Sequence, residues 1–154
     1  MYTIPAMNAA EWVTVLIAEE FFLWDIVPGL CPEAEEPVKR GLMTGDLTGA
    51  EYRNLCLDVL TLASGRQWWV TLRLIGVARS AWTTIGAELA HVREAPLGAW
   101  LDTVFSVCID NMREGGTKPE QVQMFLSKLE APPPGSGVEV PEMEMSRSAF
   151  LAMG

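Results

Sequence analysis

Apolar residues recur at steps of three and four positions along most of the chain, the spacing of helices that bury one face. The first such stretch begins at Asn8, where Asn8 and Glu11 form an N-cap with an acid three residues later. It predicts a helix that ends near Trp24 or Val27, before Pro28 and Gly29, with an apolar stripe of Trp12, Val13, Leu16, Ile17, Phe21 and Trp24. The acidic stretch 32–45 is poorly periodic and predicts either a short helix or an irregular connection.

A clearer helical pattern follows Thr48, which forms a capping box with Glu51. The helix is expected to end near Ser64 and Gly65. Its predicted buried face holds Tyr52, Leu55, Cys56, Val59 and Leu60, opposite Arg53, Asn54, Asp58 and Thr61.

The stretch from about Arg66 to Val92 predicts one long helix with apolar residues on more than one side. One stripe consists of Trp68, Leu72, Ile75, Trp82, Ile85, Leu89 and Val92, and a second set widens it with Trp69, Val70, Leu74, Val77 and Ala81. A helix that is apolar over such a wide arc is usually central in a bundle.

Two further helices are predicted before the chain changes character. The first opens at Pro96, ends at Gly115-Gly116 and buries Leu97, Trp100, Leu101, Val104, Phe105, Cys108, Ile109 and Met112. The second follows a capping box of Thr117 and Glu120 and buries Val122, Phe125, Leu126 and Leu129. The fold class is therefore all-α, with a five- or six-helix bundle over residues 1–130.

Residues 131–154 predict a flexible, acidic C-terminal tail. It opens with a Pro/Gly linker, PPPGSG (132–137), and continues as a Met-rich segment. Ser146 could cap a terminal helical turn that presents its apolar residues to a partner. We therefore treat Met143, Met145, Phe150, Leu151 and Met153 as partner-binding residues, as a hypothesis. The alternatives are a tail that folds back onto its own bundle and a tail that is inert.

The net charge of −9 over 154 residues argues against nucleic-acid binding, which needs clustered Lys and Arg. Residues 1–47 carry eight acids and two bases, residues 48–129 carry eight of each, and residues 130–154 carry four acids and one base. The acidity therefore lies at the two ends. It fits either solvated faces or a basic partner surface.

No catalytic motif is present in the sequence, and no enzyme activity or cofactor is expected. Glu88 and His91 have the spacing of half a di-iron carboxylate site, but the chain has one histidine and cannot complete it, so no metal site is predicted. Cys31, Cys56 and Cys108 form no CxxC pair, and Cys56 and Cys108 fall in apolar helical patterns where a thiol is inert. No apolar run is long enough to span a membrane, so a cytosolic protein is expected.

The six tryptophans divide into two groups. Trp12, Trp82 and Trp100 fall on predicted core stripes. Trp68 and Trp69 are adjacent and cannot share one side of a helix, so one is expected in the core and the other partly exposed beside Arg66 and Arg73. Exposed Trp near Arg is typical of interaction hot spots, which makes Trp68 and Trp69 further candidate partner-binding residues.

Three stretches of the chain resemble tail assembly chaperones of phages that infect actinobacteria: GDLTGAEYRNLCLDVLTLASGRQWWVTLRLIGVARSAW (45–82), PLGAWLDTVFSVCIDNM (96–112) and the segment 124–154. The resemblance covers about two thirds of the chain, from residue 45 onward. It implies a non-catalytic protein of the infected host's cytoplasm that binds the tape-measure protein, or another tail protein, and keeps it soluble during tail assembly. Many such chaperones also have a longer form made by translational frameshift.

Two other functions stay open from the sequence. One is a structural virion protein such as a head–tail connector. The other is an acidic inhibitor or DNA mimic that captures a basic host enzyme. Self-association is also left open.

Overall fold

The computed structural model describes residues 7–17, 26–27 and 31–135, and these residues form an all-α bundle, as predicted. Within them no strand occurs, and the one β-bridge joins Asn8 to Pro96. The elements whose bounds lie in these described ranges are seven helices and short 3₁₀ turns at Pro32–Ala34 and Ala90–Val92. The helices are α1 (Ala9–Ile17), α2 (Glu35–Thr44), α3 (Gly49–Ser64), α4 (Trp68–Ser80), α5 (Trp82–Leu89), α6 (Leu97–Glu114) and α7 (Pro119–Glu130).

Two helices begin at the predicted caps. In α1 the Glu11 backbone N–H donates to Asn8 Oδ1 at 3.0 Å, while the Asn8 N–H donates to Glu11 Oε2 at 2.9 Å. In α3 the same reciprocal box joins Thr48 and Glu51, and Gly65 ends the helix in the left-handed conformation. The predicted continuation of α1 to Trp24 lies largely outside the described residues.

Helix α4 is central, as its wide apolar arc predicts. It packs against α1, α3, α5, α6 and α7. Six of its thirteen residues are buried: Trp69, Val70, Thr71, Leu74, Ile75 and Ala78. The core of the bundle therefore surrounds α4 on several sides.

The predicted single helix from 66 to 92 is wrong, because the chain breaks at Ala81. Ala81 has φ −102° and ψ 12°, outside helical geometry, and its carbonyl accepts from both Thr84 at 2.8 Å and Ile85 at 3.0 Å. The break starts a new helix, α5, whose Ile85 and Leu89 are buried. The break also changes the helical phase, so Trp82, predicted to lie in the core, is 48% exposed.

Two smaller predictions are also corrected. On α3, Leu55 is 44% exposed, whereas Leu57 is only 5% exposed, so the buried face is rotated toward Leu57.

At α7 no Thr117–Glu120 box caps the helix: Lys118 is the N-cap, and its side chain makes no capping hydrogen bond. Pro119 explains this start, because its fixed φ and missing N–H suit the first helical position.

The turn from α3 to α4 contains a buried polar cluster centred on Ser64. The Thr71 hydroxyl donates to Ser64 Oγ at 2.7 Å, and Ser64 Oγ in turn donates to the Leu60 carbonyl at 2.7 Å. The Ser64 carbonyl also lies close to Gly98 of α6, where an added Cβ would come within 2.9 Å of it. Three helices therefore meet at this serine.

Side chains of α4 hold the C-terminal end of α7. The Trp69 indole N–H donates to the Glu130 carbonyl at 3.1 Å. Arg73 Nη1 lies 2.6, 2.9 and 2.6 Å from the carbonyl oxygens of Lys128, Leu129 and Ala131. These contacts satisfy carbonyl groups that a helix end leaves without intrahelical donors.

Replacing Arg73 should therefore loosen α7. We expect Arg73→Ala to lower the free energy of unfolding by about 1–3 kcal/mol, because charge-assisted hydrogen bonds are lost. Urea denaturation would measure the change. Arg79→Ala, an exposed position on the same helix, is the matched control and should change stability by less than about 0.5 kcal/mol. Equal effects of the two variants would contradict the proposed role of Arg73.

The capping box of α3 should make stability sensitive to acid. Hydrogen bonds from the Thr48 backbone N–H and hydroxyl lower the pKa of Glu51 below its ordinary value. A lowered folded-state pKa means that the contribution is complete above the unfolded pKa, about 4.3, and is lost as pH falls through the folded pKa. The stability difference between wild type and Glu51→Gln should therefore be constant from pH 7 to about 5 and shrink below that. Urea titrations over this pH range would measure it, and a Thr48→Ala background should weaken the pH dependence.

Candidate binding groove

The break at Ala81 creates an apolar groove between α1, α5 and the start of α6. Its volume is about 300 Å³, at the lower end of the range for ligand pockets. We call it the Trp82 groove, and it is lined by Ala10, Val13, Trp82, Gly86, Leu89, Ala90, Arg93 and Trp100. Among the described residues of this lining, Arg93 is the one that carries a charge, so the groove suits an apolar side chain with a carboxylate nearby.

Backbone hydrogen bonds hold the α1 wall of the groove against the opposite wall. The Ala9 N–H donates to the Ala95 carbonyl at 2.7 Å, and the Ala10 N–H donates to the Arg93 carbonyl at 2.7 Å. These two donors belong to the first turn of α1, where helical N–H groups have no intrahelical acceptor. The chain between α5 and α6 therefore completes the N-terminus of α1 and fixes the width of the groove.

Trp82 forms one rim of the groove because Gly86 gives its ring space. A Cβ added at Gly86 would lie 3.1 Å from Trp82 Cε2 and 3.3 Å from Trp82 Nε1. The indole therefore rests against the bare backbone one helical turn later, with almost half of its surface exposed. An exposed Trp held in a fixed position is a common anchor in protein interfaces.

Trp68 and Trp69 differ in burial, as expected for adjacent residues of one helix. Trp69 is buried, with its ring 5.5 Å from that of Trp68 in an edge-to-face arrangement, while Trp68 is half-buried. The two nearby arginines are engaged inside the fold: Arg73 holds α7, and Arg66 pairs with Asp102 and lies 6.0 Å from the Phe105 ring centroid. Partner binding by Trp68 and Trp69 stays a prediction, and Trp68 is the more accessible of the two.

A second, more polar cavity of about 580 Å³ borders Trp68. It lies between α3, the start of α4 and the first residues of the linker, and is lined by Arg53, Asn54, Leu57, Asp58, Trp68, Pro133, Pro134 and Gly135. The linker therefore leaves the bundle beside Trp68. The tail residues proposed to bind a partner (Met143, Met145, Phe150, Leu151 and Met153) lie outside the described residues.

The residues considered as metal ligands or nucleophiles do not form a common site in the described part of the chain. Glu88 and His91 are both exposed, at the end of α5 and in the 3₁₀ turn after it. The three cysteines are buried and unpaired, and burial raises the pKa of the Cys56 and Cys108 thiols. In the part of the chain that the structure describes, no group of three or more His, Cys, Asp or Glu side chains is arranged to hold a metal ion.

Sequence reasoning missed Trp82 as a surface residue because its spacing fits a continuous stripe from Trp68 to Val92. The available signal was Gly86, four residues later, since a glycine inside a helix costs about 1 kcal/mol relative to alanine and so draws attention to its neighbours one turn away. Neither the change of direction at Ala81 nor the contact with α1 is visible in the apolar pattern.

Comparisons with known proteins found no match to this chain among family models, curated proteins or solved structures. Among the residues that the structure describes, none of the helices combines the length and the apolar character needed to span a membrane.

Adding a methyl group at Gly86 should shift the Trp82 ring. Gly86→Ala places a Cβ 3.1 Å from the indole, so the ring must move by a few tenths of an ångström. We expect the NMR resonance of the Trp82 indole N–H to move.

Gly76→Ala on α4 is the control, because its Cβ meets no atom within 4 Å. It should raise the free energy of unfolding by up to about 1 kcal/mol and leave the Trp82 resonance unchanged. An unmoved resonance in Gly86→Ala would contradict the stacked geometry.

Proposed function

We propose that this protein is a non-catalytic phage tail assembly chaperone whose Trp82 groove binds an apolar helical segment of the tape-measure protein. Such binding would keep the tape-measure protein soluble in the cytoplasm of the infected host until the tail forms. We propose the identity of the partner from the family resemblance and the position of the binding site from the geometry of the groove.

The observation that carries the proposal is an exposed Trp held on the rim of an apolar groove. Other large apolar residues of the described part, including Met43, Leu55, Leu62 and Met124, are also exposed, but none of these lines the groove. Single exposed apolar residues are normal on protein surfaces, whereas an aromatic residue beside an apolar cavity is typical of a binding site.

The shape of the groove supports a helix as the ligand. Its walls are helices α1, α5 and α6, and an amphipathic helix commonly binds by laying apolar anchors into such a groove. A long helical partner exposes many similar apolar faces, and a small groove that takes one anchor at a time would suit repeated binding along it.

Replacing Trp82 should weaken capture of the partner without unfolding the bundle. With a tagged tape-measure protein from the same tail-gene module co-expressed, we expect Trp82→Ser to reduce co-purification and the soluble fraction of the partner at least tenfold. The fold should survive, because Trp82 is 48% exposed and lies outside the buried core.

Leu62→Ser is the matched control for this experiment. Leu62 is 81% exposed on α3 and does not line the groove, so this variant should capture the partner as the wild type does. Circular dichroism would check that both variants fold. Undiminished capture by folded Trp82→Ser would refute the groove as the binding site, and loss of capture at elevated salt alone would favour an acidic mimic that binds by charge.

A further inference from the structure

We infer that Arg93 makes the Trp82 groove selective for a helix that carries an Asp or Glu side chain three or four residues from its apolar anchor. This selectivity rests on the proposed function, because it specifies the chemistry of the segment that the groove binds. It adds a charged contact to the apolar one, and the two contacts can be tested separately.

The backbone of Arg93 is fixed on the wall of the groove. Its carbonyl accepts a hydrogen bond from the Ala10 N–H at 2.7 Å, and the Ala95 carbonyl accepts one from the Ala9 N–H at 2.7 Å. The Ala95 N–H donates to the Val92 carbonyl at 3.0 Å, which closes the turn that contains Arg93. The Arg93 side chain therefore starts from a defined position beside the apolar lining.

The Arg93 guanidinium has no ionic partner in the part of the chain that the structure describes. The ion pairs there involve the cations of Lys39 on α2 and Arg66 before α4. Glu94, the next residue along the chain, forms no ion pair with Arg93. The Arg93 side chain is also exposed, so its charge is available to a ligand.

An arginine beside an apolar groove sets two requirements for a ligand. The apolar lining suits an aliphatic or aromatic side chain, while the planar fork of guanidinium N–H donors matches a carboxylate. Arg93 is the one charged residue among the described residues of the lining. A single cation is not the cluster of Lys and Arg that nucleic-acid phosphates require. The carboxylate of a protein side chain is therefore the matching anion.

The helical form of the ligand sets the spacing between these two groups. Residues three and four positions apart lie on the same face of a helix, with Cβ atoms about 5–6 Å apart. An apolar anchor in the groove therefore brings an acid at that spacing next to the wall where Arg93 lies. Acids one or two positions from the anchor point to other sides of the helix.

Charge reversal at Arg93 tests this selectivity in the full-length chain, co-expressed with the tagged tape-measure protein. We expect Arg93→Glu to reduce capture about tenfold or more at low salt, because repulsion replaces a charge-assisted hydrogen bond. Arg93→Lys should lose less, since it keeps the charge without the planar fork. Because the Arg93 side chain is exposed, both variants should fold, which circular dichroism would check.

Arg113→Glu is the matched control. It makes the same charge change at an exposed residue of α6 that lies thirteen positions after Trp100, about 20 Å along the helix. This variant should capture the partner as the wild type does. Equal capture by Arg93→Glu and Arg113→Glu would overturn the inference.

Charge changes in the partner would identify the acid that Arg93 contacts. In the Arg93→Glu background, each Asp and Glu of the tape-measure protein is changed singly to Lys. Capture should return, at least in part, for an acid three or four residues from an apolar residue in a helical stretch. A purely structural role of Arg93 would not produce such rescue. Rescue at no acid, or only at acids without an apolar residue at that spacing, would also overturn the inference.

The two proposals fail in different ways. Loss of capture in Trp82→Ser together with undiminished capture by Arg93→Glu would refute the carboxylate contact and leave the groove as the partner site. Undiminished capture by folded Trp82→Ser would refute the partner site itself, whatever the Arg93 variants do.

Discussion

The arrangement of the bundle depends on the close approach of three helices at Ser64. Its hydroxyl accepts from Thr71 and donates to Leu60, while its carbonyl faces Gly98 with no room for a side chain. A buried hydroxyl without partners would cost about 1–3 kcal/mol, so the cluster favours the arrangement of α3 and α4 that keeps the Ser64 and Thr71 hydroxyls within hydrogen-bonding distance. Because Gly98 lies at the start of α6, the same contact fixes where α6 begins, and α6 contributes Trp100 to the groove.

The apolar pattern predicted those features that depend on local sequence. Capping residues at Asn8 and Thr48 satisfy N–H groups within the same turn, and the stripe on α6 follows from its spacing alone. For the same reason the centrality of α4 was predictable, since residues that are apolar on several sides need several neighbours. These features require no knowledge of distant contacts.

The features that were not predictable depend on contacts distant in sequence or on backbone geometry. The break at Ala81 lies inside a pattern that stays helical on both sides, so only the packing of Ile85 and Leu89 distinguishes two helices from one. Likewise, the choice between Leu55 and Leu57 on α3 is a rotation of the helix about its axis, which its neighbours determine. The groove combines both effects: Val13, Leu89 and Trp100 among its lining residues were expected on apolar stripes, whereas Trp82 was expected in the core and is exposed.

The hydrogen bonds that join α1 to the chain before α6 involve backbone groups only: Ala9 and Ala10 donate, and Ala95 and Arg93 accept. Their formation therefore does not depend on which side chains those positions carry. Substitutions can therefore change the residues that line the groove while the two walls keep their distance. The backbone contacts that hold the walls and the side chains that line the groove are thus separable.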